Sequence, residues 1–465
     1  MSSMNSKFSR AVNLAGAVCI LVGSTAVLHA QTLEQALINA YFANPTINAQ
    51  RAAVRVTDEQ VPQALAGYRP QVFGNAQADI DRSRTQSPAG TINSRTGYPR
   101  GYGITAQQNI FNGFQTGNLV RSAESQVLAA RETLRNTEQN VLLDAVAAYM
   151  NVIRDTAIVQ LQQQNVQALN EQLRATNDRF QVGELTRTDV AQAQARLRAA
   201  ESQLSGAQAN LNASRAAYRR DIGSDPGSLR PARPYEKLKL ASMDAAIADA
   251  FGKHPAIQAT RHGVDTAQLQ VKVAEGSLLP TLNLEASAQR FSDPSPTVYN
   301  NFDMTAGLRL TVPLYQGGAE YSRIRQAKEL TGQRKLESDV VRDQVRAAVI
   351  QSWGLVSASR FQVEAAQAQV AAAEIALNGV REEYRVGQRT TLDVLNAQAE
   401  LVNARSALIT AQRDRVVASY SLLSSVGRLS IAELNLAHVS QTYQPEVHYD
   451  QVRDSWFGLR TPDGR

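Results

Sequence analysis

Apolar positions recur along this chain with two periods, and the periods take turns. Ala193, Ala200 and Ala207 return every seven residues, with Leu197, Leu204 and Leu211 between them. Ala397, Ala404, Ala411 and Ala418 do the same, with Leu401 and Leu408 interleaved. Val166, Leu173 and Phe180 precede the first run, as Val370, Leu377 and Tyr384 precede the second. A sustained seven-residue repeat is the seam of a coiled coil, and alanine at its first position lets helix backbones approach closely. No proline or further glycine interrupts Gly117 to Phe180. As one helix that stretch spans roughly 95 Å at about 1.5 Å per residue. Its counterpart holds Gly332, Gly354 and Gly379, each of which weakens a helix without breaking it.

Elsewhere the period is two. Val72, Gly74, Ala76, Ala78 and Ile80 alternate with Gln71, Phe73, Asn75, Gln77 and Asp79. Tyr102, Ile104, Ala106 and Ile110 mark a second strand. Leu282, Leu284, Ala286 and Ala288 alternate with Thr281, Asn283, Glu285, Ser287 and Gln289. The clearest case runs through Phe302, Met304, Ala306, Leu308, Leu310, Val312 and Leu314 against Asp303, Thr305, Gly307, Arg309 and Thr311. These predict strands at about 71–83, 100–111, 281–291 and 301–315. The segments 84–99 and 292–300, rich in Ser, Pro, Gly, Asn and Thr, read as exposed turns. Strands of about ten residues with one apolar face suit a membrane barrel, and they equally suit a half-buried soluble hairpin.

The two halves of the chain copy each other. Phe180 to Val190 reads Phe-Gln-Val-Gly-Glu-Leu-Thr-Arg-Thr-Asp-Val, and Tyr384 to Val394 reads Tyr-Arg-Val-Gly-Gln-Arg-Thr-Thr-Leu-Asp-Val. Glycine supplies the backbone angles that end one helix, and Thr with a following Asp suits the start of the next. Each copy is therefore a tight joint between two long helices. A short helix from Thr32 to Tyr41, Asn44-Pro45, a helix from about Thr46 to Ala66 and Pro70 return as Ala245 to Phe251, His254-Pro255, a helix to about Glu275 and Pro280. A tandem duplication of this size implies pseudo-symmetry. The domain plan is a first repeat over 31–224, a linker over 225–241 marked by Asp225-Pro226-Gly227 and Pro231 through Pro234, a second repeat over 242–428, and an irregular tail over 429–465. The fold class is mainly α with a small β part.

Composition sharpens this picture. Aromatics are only 6% of the 465 residues, which suits long, narrow helical packing better than a compact core. The formal net charge is +6, without a lysine or arginine run dense enough to propose nucleic-acid binding. Residues 1–30 carry Lys7 and Arg10, then an apolar run from Ala11 to Val27, then Leu28-His29-Ala30. This is a secretory signal pattern with cleavage expected after Ala30, and the run is too short and too small-ended for an anchor. Cys19 is the only cysteine and lies inside the run, so a mature chain has no disulfide or thiolate metal site. No later run is long and apolar enough for a membrane helix, so entry into a membrane requires a barrel. Four strands cannot close one, since the smallest barrels need about eight. Open edges in lipid are prohibitive. A barrel reading therefore forces an oligomer, of two chains or three.

With the doubled joint, two strands per repeat and the two-fold repeat all in place, the sequence resembles the TolC family of outer-membrane channel-tunnels. The match covers the chain to about Leu429 and rests on Val182-Gly183-Glu184-Leu185-Thr186 and Val386-Gly387-Gln388-Arg389-Thr390. The resemblance implies a homotrimer with a shared 12-stranded barrel in outer-membrane lipid and an α-helical tunnel across the periplasm. It implies a passive exit duct for drug efflux or type I protein secretion. A periplasmic adaptor and an inner-membrane pump of RND or ABC type would open it. It implies no cofactor. Val182, Gly183, Leu185, Thr186, Val386, Gly387 and Thr390 are similar to the family's adaptor-contacting tips. Gln172, Thr188, Asp189, Tyr384 and Arg389 match a polar gate network, in which Tyr384 and Arg389 bond Asp189 and its neighbours. Asp393 matches the first carboxylate of the pore constriction. The second position is Asn396, so a trimer would carry three carboxylates there and favour cations less than a ring of six.

For an enzyme there is no His-Glu-x-x-His, no Gly-x-Ser-x-Gly and no phosphate loop. His254 and His262 read as a surface pair, and the tail beyond His438 carries no evident chemistry. The rival reading is a soluble periplasmic coiled-coil adaptor or scaffold. It shares the heptads and the signal pattern but has no need of paired strands with an apolar face in both repeats.

Overall fold

The computed structural model describes residues 31–236, 241–295, 298–436 and 442–462. The signal pattern of residues 1–30, and His438, lie outside them. Three short helices open the chain: α1 (Leu33–Ala43), α2 (Pro45–Asp58) and α3 (Gln60–Leu65). Strands β1 (Gln71–Ala78), β2 (Asp81–Gln86), β3 (Ile92–Gly97) and β4 (Arg100–Asn112) follow, then helices α4 (Gln115–Gln181) and α5 (Arg187–Ile222). The second repeat gives α6 (Met243–Lys253), α7 (Pro255–Gly276), β5 (Thr281–Ser295), β6 (Val298–Thr311), α8 (Ala319–Arg385) and α9 (Thr391–Ser425), with a final α10 (Pro445–Val452).

The helix starts are written locally. Thr32 accepts the Gln35 backbone N–H while Gln35 returns a side-chain acceptor, a reciprocal cap on α1. Asn44 and His254 cap α2 and α7, each followed by proline at the first helical position, where its missing N–H costs nothing. His254 is thus no surface residue: its Nδ1 accepts the Ala256 N–H at 3.2 Å, and burial pushes its pKa down to about 4. The expected helix from Thr46 to Ala66 is interrupted at Glu59, which ends α2 just before α3. Pro62 supplies no N–H to the ladder there, and the counterpart α7, without an internal proline, runs unbroken for 22 residues.

The long helices α4 and α8 are each continuous for 67 residues, about 100 Å. Gly332, Gly354 and Gly379 lie inside α8 with open space around each. The heptad positions are the ones that pack. Ala193, Leu197 and Ala200 of α5 meet Leu169 of α4, and Leu401 and Ala404 of α9 meet Ala373 and Leu377 of α8. The hairpins also dock on each other: Leu395 of α9 joins the α4–α5 cluster, and Gln398 Nε2 donates to Asn165 Oδ1 at 3.3 Å.

The four-stranded antiparallel sheet has the order β1-β4-β5-β6, so both repeats contribute to one sheet. Among the described residues the outer sides of its edge strands, β1 and β6, have no strand partner, and β6 is exposed along its whole length. The expected turn at 84–99 is corrected. It contains a separate hairpin, β2 with β3. This hairpin has no apolar face (Arg82, Ser83, Arg84, Thr85 against Ser94, Arg95, Thr96), so hydrophobic alternation had nothing to register. The turn at 292–300 is shorter than expected, because β5 reaches Ser295 and β6 begins at Val298.

Where sheet and helices meet, two backbones touch. Gly113, at φ +63°, sits against Gly276 at the end of α7. Below that neck the main core gathers Leu37, Leu142, Val146, Tyr149, Tyr218, Ile222, Leu423 and Leu429 from α1, α4, α5, α9 and the segment after it. Tyr149 donates to both the Gln31 and Arg230 carbonyls, at 2.8 and 2.7 Å, which fastens the linker to the helices.

The tail after α9 is not wholly irregular. Helix α10 lies on α2, where His448 Nδ1 is 2.9 Å from the fully buried Asp58 carboxylate. Beside it Arg51 stacks on Tyr41 at 4.4 Å and Tyr443 at 5.2 Å. Glu138 faces the same region, and burial pushes its pKa up to about 7 from the usual 4.5. A carboxyl whose folded pKa is raised binds its proton more tightly folded than unfolded. Its contribution is therefore fully present below about pH 4.5 and is lost as pH rises through about 7. Glu138→Gln is expected to raise stability at pH 8 by up to ~3 kcal/mol, at ~1.4 kcal/mol per unit, and to change nothing at pH 4. Thermal unfolding followed by circular dichroism at both pH values measures it; an equal gain at both would assign the effect to packing.

Candidate functional site

The candidate site is the pair of hairpin tips, and the two are built alike. Helix α4 ends at Val182, with Gly183 in the left-handed region at φ +84°; α8 ends at Val386, with Gly387 at φ +80°. Gly183 N–H bonds the Phe180 carbonyl at 3.0 Å and Glu184 N–H bonds that of Arg179 at 2.9 Å. Gly387 N–H and Gln388 N–H repeat this with Tyr384 and Glu383, at 3.1 and 2.9 Å. These bonds satisfy the last carbonyls of each helix.

The return helices start on identical caps. Thr186 Oγ1 accepts from Asp189 N–H at 3.3 Å while Asp189 Oδ2 accepts from Thr186 N–H at 2.9 Å. Thr390 and Asp393 give the same two distances, 3.3 and 2.9 Å. Both carboxyl groups are held below the usual carboxylate range, Asp189 chiefly by the Thr186 hydroxyl and Asp393 chiefly by the Thr390 backbone N–H. Hydrogen bonds to the charged form cause the shift, so both sites stay anionic at neutral pH. The tips themselves are open: Val182 and Val386 are each 72% exposed, and Gly183, Thr186, Gly387 and Thr390 are exposed too, with Leu185 half-buried.

Within one chain the polar contacts around the second tip differ from the expected set. Arg389 Nε donates to Glu383 Oε2 at 2.7 Å, across its own turn, rather than to Asp189. The nearer carboxylate takes the guanidinium. Tyr384 OH lies 3.4 Å from the Thr391 hydroxyl, and the Arg179 guanidinium stacks on the Tyr384 ring at 5.0 Å. The Thr391 hydroxyl, on a residue 1% exposed, lies close enough to the Asp189 carboxylate to favour its charged form. Gln172 contributes its backbone carbonyl, which accepts the Thr176 hydroxyl at 2.8 Å, and Thr188 is exposed. Asn396 Oδ1 accepts from Arg196 Nη2 at 2.9 Å, joining α9 to α5.

Thr391, Glu383, Arg179 and Arg196 were missed by sequence reasoning. The signal for Thr391 was present: it is the second of two adjacent threonines at a cap that needs only one. For Arg196, two hundred residues from its partner, there was none.

A family model described as outer membrane efflux protein matches residues 33–224 and 246–428, which are the two repeats. The chain belongs to the outer membrane efflux protein family. Members of this family are channel proteins, not enzymes. The chain is similar to the outer membrane efflux protein BepC of Brucella suis, at 46% identity over 456 residues, covering 98% of this chain and 97% of the relative. It is similar to the outer membrane protein TolC of Escherichia coli K12 at 26% identity, over 89% of this chain and 86% of that one. Among solved structures, the Campylobacter jejuni CmeC outer membrane channel superposes with a TM-score of 0.76 at 16% identity, over 88% and 89% of the two chains. In this outer membrane efflux protein, the duplicated tips lie about 100 Å of helix away from the sheet, at the opposite end of the molecule.

Proposed function

We propose that this chain is one third of a trimeric outer-membrane exit duct, serving drug efflux and/or type I protein secretion. The single observation that carries the oligomer is the sheet, and the family's usual trimer supplies the number three. Its four strands leave β1 and β6 open, an arrangement that cannot persist in lipid unless neighbouring copies pair the edges. Its faces support the membrane: Leu282, Leu284, Leu308 and Leu310 share one, while Asn283, Glu285 and Arg309 share the other. No described helix is long and apolar enough to cross a membrane. The long hairpins then hang into the periplasm and present the open tips, Val182 to Thr186 and Val386 to Thr390, to an adaptor and its inner-membrane pump.

The tips are the gate. The Arg179 guanidinium on the Tyr384 ring and Thr391 beside Asp189 hold the second hairpin against the first, and Arg389 couples its turn to Glu383 with a neighbouring copy's Asp189 and Thr188 as further partners. Gln172 lines the same region. Asp393 forms the constriction, with Asn396 holding Arg196 where a second carboxylate would otherwise stand. Three fixed anions beside three guanidiniums make a weakly cation-preferring ring. Asp393→Asn keeps an oxygen for the Thr390 cap while removing the charge, so the fold is expected to persist and the cation preference to vanish in planar bilayers. Unchanged selectivity would take Asp393 out of the constriction.

The reading as a whole is tested in two ways. The purified protein is expected to be a trimer in detergent and to conduct; a non-conducting monomer, or a soluble periplasmic product, overturns it. A deletion strain assayed for drug sensitivity and for secreted proteins then separates efflux from secretion.

A further inference from the structure

The strand register places two arginines on the apolar face of the sheet. Arg290 of β5 pairs with Tyr102 of β4 and Phe302 of β6, and Arg100 of β4 pairs with Ser292. Paired residues share a face, so Arg100 and Arg290 stand in line with Leu282, Leu284, Ala286 and Ala288. They are diagonal neighbours on adjacent strands, a spacing of roughly 7–8 Å. Both are exposed.

Their height is informative. The strands leave the helices at Gln71 and Thr281, so Arg100 and Arg290 lie at the end far from the helices. From Leu282 to Arg290 is eight residues along β5, about 27 Å at ~3.4 Å per residue. With barrel strands tilted by about 35–45°, that is roughly 20 Å along the membrane normal, close to the height of a barrel's apolar band, about 25 Å, which aromatic residues flank. Tyr102 and Phe302, 63% and 66% exposed, are those aromatics. The arginines therefore sit at the level of lipid headgroups in the outward leaflet.

Two cations on one lipid-facing surface repel each other, and the sheet offers them no carboxylate. The ion pairs of the strands are Arg95 with Asp293 and Arg309 with Glu285. Asp293, the nearest acid along β5, is occupied by Arg95 and also accepts the Tyr98 backbone N–H at 3.2 Å. Glu285 belongs to the polar face. Among the described residues neither Arg100 nor Arg290 has an ion-pair partner.

Beside them is a groove of about 440 Å³. The small residues Gly74, Ala76 and Ala288 line it together with Tyr102, Ile104, Phe302 and Arg290. The groove lies across the four strands of a single chain, and Arg290 and Arg100 are on the two inner strands, away from the edges another copy would pair.

We propose that Arg100 and Arg290 bind the phosphate of a phosphorylated glycolipid of the outer leaflet, with an acyl chain of the same lipid lying in the Gly74–Ala76–Ala288 groove. The inference rests on the outer-membrane reading above. Charge and shape each select the occupant. Paired guanidiniums match phosphate oxygens with directed N–H donors. A narrow apolar trough directly beneath matches a hydrocarbon chain and not a free anion. A trimer carries three such sites around its barrel.

The test uses the purified full-length protein in detergent and bisphosphorylated lipid A as probe, with fully dephosphorylated lipid A and inorganic phosphate as comparators. Binding is read by native mass spectrometry and titration. Bisphosphorylated lipid A is expected to bind at least tenfold more tightly than either comparator. The Arg100→Gln/Arg290→Gln variant is expected to lose at least tenfold, and Ala288→Phe, which fills the groove and leaves both charges, to lose severalfold. Arg100→Lys/Arg290→Lys keeps the charge but not the forked donors and is expected to bind between wild type and the Gln variant, which guards against a folding defect. Equal binding by wild type and the Gln variant, or by inorganic phosphate and the lipid, overturns the proposal. Trimer content and conductance are measured on every sample. A conducting trimer whose lipid binding ignores the arginines defeats this inference alone, whereas a non-conducting monomer defeats the duct itself.

Discussion

Gly113→Ala is expected to remove nearly all membrane-inserted protein. Gly113 joins β4 to α4 at φ +63°, where a side chain is strained by about 1–2 kcal/mol. Its added Cβ would also strike the Gly276 backbone and come within 2.8 Å of Leu279 Cβ. Backbone cannot swing aside as a flexible side chain can, so relief requires prying α7 from the start of α4. The combined cost is expected at ~3 kcal/mol or more, the range of severe core lesions. Two further variants separate the causes. Gly276→Ala carries no positive φ yet meets the Gly113 carbonyl at 2.5 Å, so it reports overlap without strain. Gly183→Ala has φ +84° and open space around it, so it reports strain without overlap. The yield of heat-resistant oligomer in membranes should fall strongly for Gly113→Ala and Gly276→Ala and only slightly for Gly183→Ala. A Gly113→Ala protein that assembles normally would show that the neck yields more easily than its close backbone approach implies.

Charge reversal at Arg389 is expected to raise single-channel conductance severalfold. Arg389 bonds Glu383 at 2.7 Å, and its guanidinium is also stabilised by the nearby Asp393 carboxylate. Arg389→Glu would replace these attractions with three carboxylates around one turn. The pair is exposed, so its own contribution to stability is small. The large effect follows from the gate reading, in which the tip moves between a closed and an open position and a modest bias shifts a two-state population strongly: ~1.4 kcal/mol is tenfold. Arg389→Gln, which loses the attraction without adding repulsion, should open the channel less. Thr391→Val, which removes the hydroxyl that favours the charged Asp189 of the first hairpin, should act in the same direction as Arg389→Glu. If all three variants conduct like wild type, the tips are not the closure.

The gate region shows what sequence reasoning could reach and where it stopped. Both caps were readable, because Thr and Asp three residues apart bond within a single turn and need nothing from elsewhere. The positions of Tyr384, Asp189 and Arg389 near one another were readable through the doubled joint. Their bonds were not. Whether Arg389 takes Asp189 or Glu383, and whether Tyr384 meets Asp189 or Thr391, depends on how two hairpins more than two hundred residues apart dock side by side. The β2–β3 hairpin was invisible for another reason: its pairs are Arg, Ser, Thr and Asn, so burial leaves no alternating trace. Helix α10 was hidden because its eight residues are too few to show a helical period, and Asp58 and His448 are fixed by tertiary contact alone.

The sequence by itself determined the elements and their duplication: four half-apolar strands, two pairs of long heptad helices and two glycine joints. Each of these is a local periodicity, and a period of two or of seven residues reports the geometry of the chain that carries it. The tertiary structure decided that β4 and β5 pair across the two repeats, that α9 locks onto α4, that Gly113 meets Gly276, and that Arg100 and Arg290 share one face without a counter-ion. Those facts are juxtapositions of distant segments. They are set by packing and register between elements, a quantity that no window along the chain contains.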